Sequence, residues 1–166
     1  MFDDLLAANR RYGANFGLSG IPAAAARGFA LVTCMDSRIE PLTMLGLGPG
    51  DAKILRNGGG RVTTDVLRSL ALATHLLGVT RIAIMHHTKC ALATQTDDDL
   101  RARLPAAVAE RAAGWDLHAM PEPDAALIAD VETVLTCPLL PASTRVEGWR
   151  YDVDTGLIRQ VVRSRG

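Results

Sequence analysis

The chain has 166 residues, and its 18 basic and 18 acidic side chains leave no formal net charge. That balance gives no electrostatic footprint for nucleic acid or an anionic membrane. The length suits one domain, and no apolar run approaches the roughly 18 residues of a spanning helix. Aromatics make up 4% of a chain that is 48% apolar, so the core must be aliphatic. A mean hydropathy of +0.13 leaves apolar surface for burial against another copy. The start Met1-Phe2-Asp3-Asp4 is acidic and lacks the basic and apolar regions of a signal peptide. Three cysteines then read as ligands or buried thiols in a cytoplasmic protein.

Residues 3–15 carry Leu5, Leu6, Ala8 and Tyr12 at helical spacing, a modest amphipathic helix that Gly13 and Gly17 fray. Ser19-Gly20-Ile21-Pro22 punctuates, and residues 23–26 form a connector or a short helix. Residues 29–33 are a continuous apolar run, the mark of a strand covered on both faces. Residues 41–46 fit one or two helical turns, with Pro at the start and Gly at the end. A second strand over 51–55 is broken by Arg56-Asn57-Gly58-Gly59-Gly60. Thr63 or Thr64 caps the clearest helix, whose apolar side is Val66, Leu67, Leu70, Ala73, Leu76 and Leu77. Residues 81–86 are the third strand. Thr96 before Asp97-Asp98-Asp99 starts another helix, which Pro105 divides from one over 106–113. A loop over 115–123 leads to a helix over 124–136 with Leu127, Ile128, Val131 and Val134 inward. Strands over 146–151 and 157–162 close the chain across Asp154-Thr155-Gly156. Strands alternating with helices predict an α/β fold: a mainly parallel sheet flanked by helices, with antiparallel pairing at one edge near the C-terminus. The expected organisation is a single domain over 1–166, with 1–27 a helical arm and 28–166 the core.

Two of the apolar runs end in reactive side chains. Cys34-Met35-Asp36-Ser37-Arg38 follows the first strand, and His87-Thr88-Lys89-Cys90 follows the third. In open α/β sheets ligands bind outside the carboxyl ends of the strands, where both motifs fall. Cys34, His87 and Cys90 supply three zinc ligands and leave a fourth position for water. A site with two thiolates is a weaker Lewis acid than one of three imidazoles, so the bound water needs help to lose its proton. Asp36 can face the same side as Cys34 if the chain stays extended, and there orient zinc hydroxide. A bidentate guanidinium from Arg38 would keep that carboxylate off the metal. His86 turns to the opposite face by strand alternation, and Cys137 reads as a small hydrophobe. His75 and His118 read as solvated or packed. Gly46-Leu47-Gly48-Pro49-Gly50 is a turn, since no Lys-Ser/Thr follows it. Asn57-Gly58-Gly59-Gly60 is either a plain turn or a close backbone approach to a ligand or to the metal loop.

The paired motif Cys34-x-Asp36-x-Arg38 and His87-x-x-Cys90 resembles the signature of the β-class carbonic anhydrases. Ile54-Leu55-Arg56-Asn57, Asp65-Val66-Leu67-Arg68-Ser69-Leu70 and Gly148-Trp149-Arg150-Tyr151 extend the likeness over most of the chain from residue 28. The short length resembles the small bacterial and archaeal branch. The resemblance implies a zinc enzyme hydrating carbon dioxide reversibly to bicarbonate and a proton, with Asp36 and Arg38 as its catalytic dyad. It also implies a homodimer or dimer of dimers with a cleft at the subunit boundary. Two positions depart from the family pattern. Ala91 stands where Gly is usual, and Gly58-Gly59 stands where Ala-Gly is common, so Gly58, Gly59 and Ala91 are expected to shape the substrate cleft. Carbonyl sulfide or carbon disulfide hydrolysis on the same scaffold is the alternative, and a non-catalytic zinc or thiol protein the third.

Overall fold

The structure is a computed structural model, and it describes residues 1–163. Its centre is a five-stranded sheet in the order β2-β1-β3-β4-β5. The strands are β1 (Phe29–Cys34), β2 (Ala52–Asn57), β3 (Arg81–His87), β4 (Arg145–Tyr151) and β5 (Ile158–Val162). The first four run parallel, and β5 pairs antiparallel with β4 at the edge, as the alternation of elements predicts. All six residues of β1 are buried, the pattern of a central strand covered on both faces.

Among the described residues there are six α-helices: α1 (Asp3–Ala14), α2 (Pro41–Met44), α3 (Thr64–Leu76), α4 (Asp97–Ala102), α5 (Ala106–Arg111) and α6 (Pro123–Leu135). One face of the sheet presents Ala30, Val32, Ile82 and Ile84 to α3 and α6, which answer with Val66, Leu70, Leu127 and Val131. The other face packs Phe29, Leu31, Ala83 and Met85 around Ile39, Met120 and Tyr151. Strand periodicity thus feeds two aliphatic layers from one sequence.

Local signals set the boundaries. Thr63 caps α3 through its side chain to the Val66 amide. Thr96 and Asp99 form a reciprocal capping box at α4. Several expectations shift by a few residues. β2 runs two residues further than expected, because Arg56 and Asn57 stay in register with Thr33 and Cys34. Residues 23–26 form no helix. α5 stops at Arg111, and Pro123 is the first residue of α6 rather than the end of a loop.

Burial departs from periodicity at two places. Leu76 at the end of α3 is 71% exposed, and Ile128 on α6 is 43% exposed, although both were expected inward. Ile128 sits one 100° step round from Leu127, on a flank facing Val161 and Val162 rather than the sheet's centre. α1 buries none of its residues within the chain.

Candidate metal centre

β1 and β3 are neighbours, so their carboxyl ends carry Cys34 and His87 to the same edge. Two residues beyond His87, the backbone turns through Lys89, whose φ of 54° lies in the left-handed region. That turn brings Cys90 back over β1. The ligand atoms of Cys34, His87 and Cys90 all lie within 4.8 Å of one another, and all three residues are buried.

The donor set fits zinc on grounds of its own. His87 Nδ1 lies 2.8 Å from the Thr88 carbonyl, an arrangement that fixes the proton on Nδ1. Its Nε2 is buried and has no hydrogen-bond partner among the described residues. A buried, unpaired imidazole nitrogen beside two thiols is costly unless something binds it. The thiols are prepared as well. A hydrogen bond from Cys90 lowers the Cys34 pKa to about 4 against the opposing effect of burial, with His87 and the Asp36 and Gly59 amides adding to the effect. Cys90, hydrogen-bonded to Cys34 and buried, is pushed up. A cation bound by the two sulfurs would take the place of their protons.

Asp36 and Arg38 meet as the motif predicts, by a different local route. The chain turns after Cys34 instead of remaining extended: the Ile39 amide donates to the Asp36 carbonyl, and the Arg38 amide donates to Asp36 Oδ1 at 2.9 Å. This side-chain-closed turn is typical of Asp. Arg38 Nε then reaches Oδ1 at 2.9 Å and Nη2 reaches Oδ2 at 2.7 Å. The same Nη2 donates to the Lys89 carbonyl, joining the two ligand loops. Asp36 Oδ2 remains 3.9 Å from His87 Nε2. Contacts from the Arg38 side chain and amide hold the Asp36 carboxyl well below the usual carboxylate range.

A cavity of about 360 Å³ opens over this cluster, lined by residues 34–38, Gly58, Gly59 and residues 90–92. All three residues expected to shape the cleft are on its wall. At Gly58 a methyl would meet only Leu92, at 3.8 Å, so the alanine common at this position would fit. His86 faces away, as alternation predicts, with Nε2 3.1 Å from Asp130 on α6.

Sequence reasoning missed three supporting residues. Arg56 donates to the carbonyls of Cys34, Asp36 and Ile39, fixing the 34–39 loop from the neighbouring strand. Arg61 and Asp130 form a buried ion pair at 2.7 Å. A signal for the last existed: Asp130 lies on the helical stripe of Leu127, Val131 and Val134, where a carboxylate needs a partner.

A parallel sheet whose carboxyl edge gathers two thiols and an imidazole defines a metalloenzyme of the α/β class. The family model for carbonic anhydrase matches residues 29–114. β-carbonic anhydrase 1 of Mycobacterium tuberculosis is 34% identical over 159 residues, covering 96% of each chain. A carbonic anhydrase structure from Streptococcus mutans is 38% identical and superposes with a TM-score of 0.89 over 96% of both chains. A carbon disulfide hydrolase of Acidianus sp. is 32% identical over 154 residues, covering 78% of this chain and 75% of that protein. The chain belongs to the β-class carbonic anhydrases, which are zinc enzymes, and Cys34, His87 and Cys90 form a cluster able to bind the metal.

Proposed function

We propose that this protein catalyses the reversible hydration of carbon dioxide to bicarbonate and a proton, with Cys34, His87 and Cys90 as its zinc ligands and Asp36 and Arg38 as its catalytic dyad. Zinc bound there supplies a Lewis acid that makes water nucleophilic near neutral pH. Arg38 occupies both Asp36 oxygens and so prevents the carboxylate from taking the fourth metal position. Asp36, kept ionised, accepts a hydrogen bond from the reacting water and aims its lone pair at the substrate carbon. Gly58, Gly59 and Ala91 give the cavity a close, largely apolar wall suited to a small linear molecule. The observation that carries this reading is the bidentate Asp36–Arg38 pair 3.9 Å from the unpartnered His87 nitrogen. A purely structural zinc site has no use for such a pair.

The wider organisation follows the same reading: one domain over 1–166, an arm over 1–27, a cytoplasmic location, and a homodimer or dimer of dimers. No described helix is long and apolar enough to cross a membrane.

Stopped-flow hydration of carbon dioxide by zinc-loaded protein tests the activity, with Asp36→Ala as control. Loss of the acid-base partner is expected to lower kcat/KM by about 10²–10⁴-fold while zinc is retained. The second reading, hydrolysis of carbon disulfide or carbonyl sulfide, draws on the carbon disulfide hydrolases among its relatives. Sulfide release without carbon dioxide hydration would establish it in place of the first.

A further inference from the structure

Behind the two cysteines lies a buried polar network that the proposed reaction does not use. Arg61 follows the 3₁₀ turn Gly58–Gly60 and directs Nε and Nη2 onto Asp130 at 2.7 and 3.3 Å. Its Nη1 donates to the carbonyls of His118 and Ala119. The Asp130 side chain is 5% exposed and also lies 3.1 Å from His86 Nε2 on β3. Asn57 closes the turn from the other side, accepting from the Arg61 amide and donating to the Arg61 carbonyl. The turn, β3, α6 and the 118–120 loop therefore all meet at one guanidinium–carboxylate pair.

Two backbone segments tied to this pair reach the ligand cysteines. The Gly58–Gly60 turn packs on the first, since a methyl on Gly60 would lie 2.9 Å from the Cys34 nitrogen, and Leu92 follows Cys90 closely on the wall of the same cavity. Leu92 is tied to the 118–120 loop, because its carbonyl accepts from the Met120 amide at 2.8 Å. Arg61 thus reaches the Cys34 side through its own backbone and the Cys90 side through the loop carbonyls. Burying an ion pair is weak as a source of stability, so a positional role accounts for it better. Groups around a ligand that fix its direction tune the bond it makes to a metal.

We propose that Arg61 and Asp130 are positioning residues for the metal centre, a brace that fixes the turn packed on Cys34 and the loop that carries Cys90 and so sets metal affinity. The proposal rests on Cys34, His87 and Cys90 being the ligands. Neither residue lines the cavity over the cluster, and both act through the turn and the loop.

Metal binding itself is the readout, so the result does not depend on which substrate the enzyme turns over. Zinc affinity is measured by competition with a chelator, and sulfur-to-metal charge transfer is followed in cobalt(II)-substituted protein. Asp130→Asn leaves the guanidinium without its counter-charge, and zinc affinity is expected to fall by about 10-fold or more with a shifted charge-transfer band. Arg61→Lys keeps the charge but loses the fork onto the loop carbonyls, and should move both readouts the same way. It carries the test if Asp130→Asn does not fold. Leu70→Ala, a core truncation between α3 and the sheet, controls for stability alone and should leave affinity and band unchanged. Unchanged affinity and band in either folded brace variant, or an equal change in Leu70→Ala, would overturn the proposal.

Discussion

At the scale of single residues, Asp97 ties two segments together. Its two oxygens accept from the Leu117 and Ala119 amides and hold the loop before α6. Those amides depress its pKa, the Ala119 contact most. A carboxylate lowered on folding contributes stability above its unfolded pKa of about 3.9 and loses it as pH falls through the lower folded value. Thermal melts of Asp97→Asn against the parent should therefore differ at neutral pH and converge in acid. A gap that stays constant with pH would mean that the charge is irrelevant there. In the sequence Asp97 reads only as one of three acids at a helix start. Cys34, His87 and Cys90 declare themselves because few other arrangements use two thiols and an imidazole at two strand ends. Arg61 and Asp130 were illegible because their meaning arises only when α6 packs over β3, some seventy residues after the turn.

Among the elements, the 3₁₀ turn after β2 is the most constrained by backbone packing. A methyl on Gly60 would lie 2.9 Å from the Cys34 nitrogen and the Thr33 carbonyl carbon, and φ is +71°. Gly60→Ala is expected to cost at least about 2 kcal/mol in chemical denaturation. Gly58→Ala, two residues earlier, has room and should stay within about 0.5 kcal/mol. Equal costs at the two positions would show that the turn moves as a unit. Sequence alone offered a choice between a plain turn and a close approach for these glycines. The close approach is real at Gly60 and is made to the chain at the end of β1, a distance no local pattern encodes. α3, by contrast, showed its cap and core stripe plainly, since Thr63, Val66 and Leu70 obey local rules. Leu76, the last residue of that helix, stays exposed where the stripe predicted burial.

For the whole molecule, α1 is the part the chain leaves unfinished. Leu5, Leu6, Tyr12 and Phe16 are exposed, and Tyr12 and Phe16 stack edge to face at 5.6 Å. Amphipathic patterning predicted the helix and was silent on what its apolar side meets. A second copy of the chain is the occupant expected of a homodimer. Deleting residues 1–18, which spares Ile21 on Gly50, should reduce the mass seen by light scattering from dimer or larger to monomer. An unchanged mass would place the interface elsewhere. The adjacency of β1 and β3 has a consequence for synthesis. On the proposed ligand set, one donor emerges at residue 34 and the other two at 87 and 90, with the whole of β2 and α3 between them. A ribosome paused before residue 87 exposes a single thiol to the cell's zinc, too few donors to compete for it. Metal uptake has to wait until β3 is inserted beside β1, so a metallated chain is one whose central strands have already found each other.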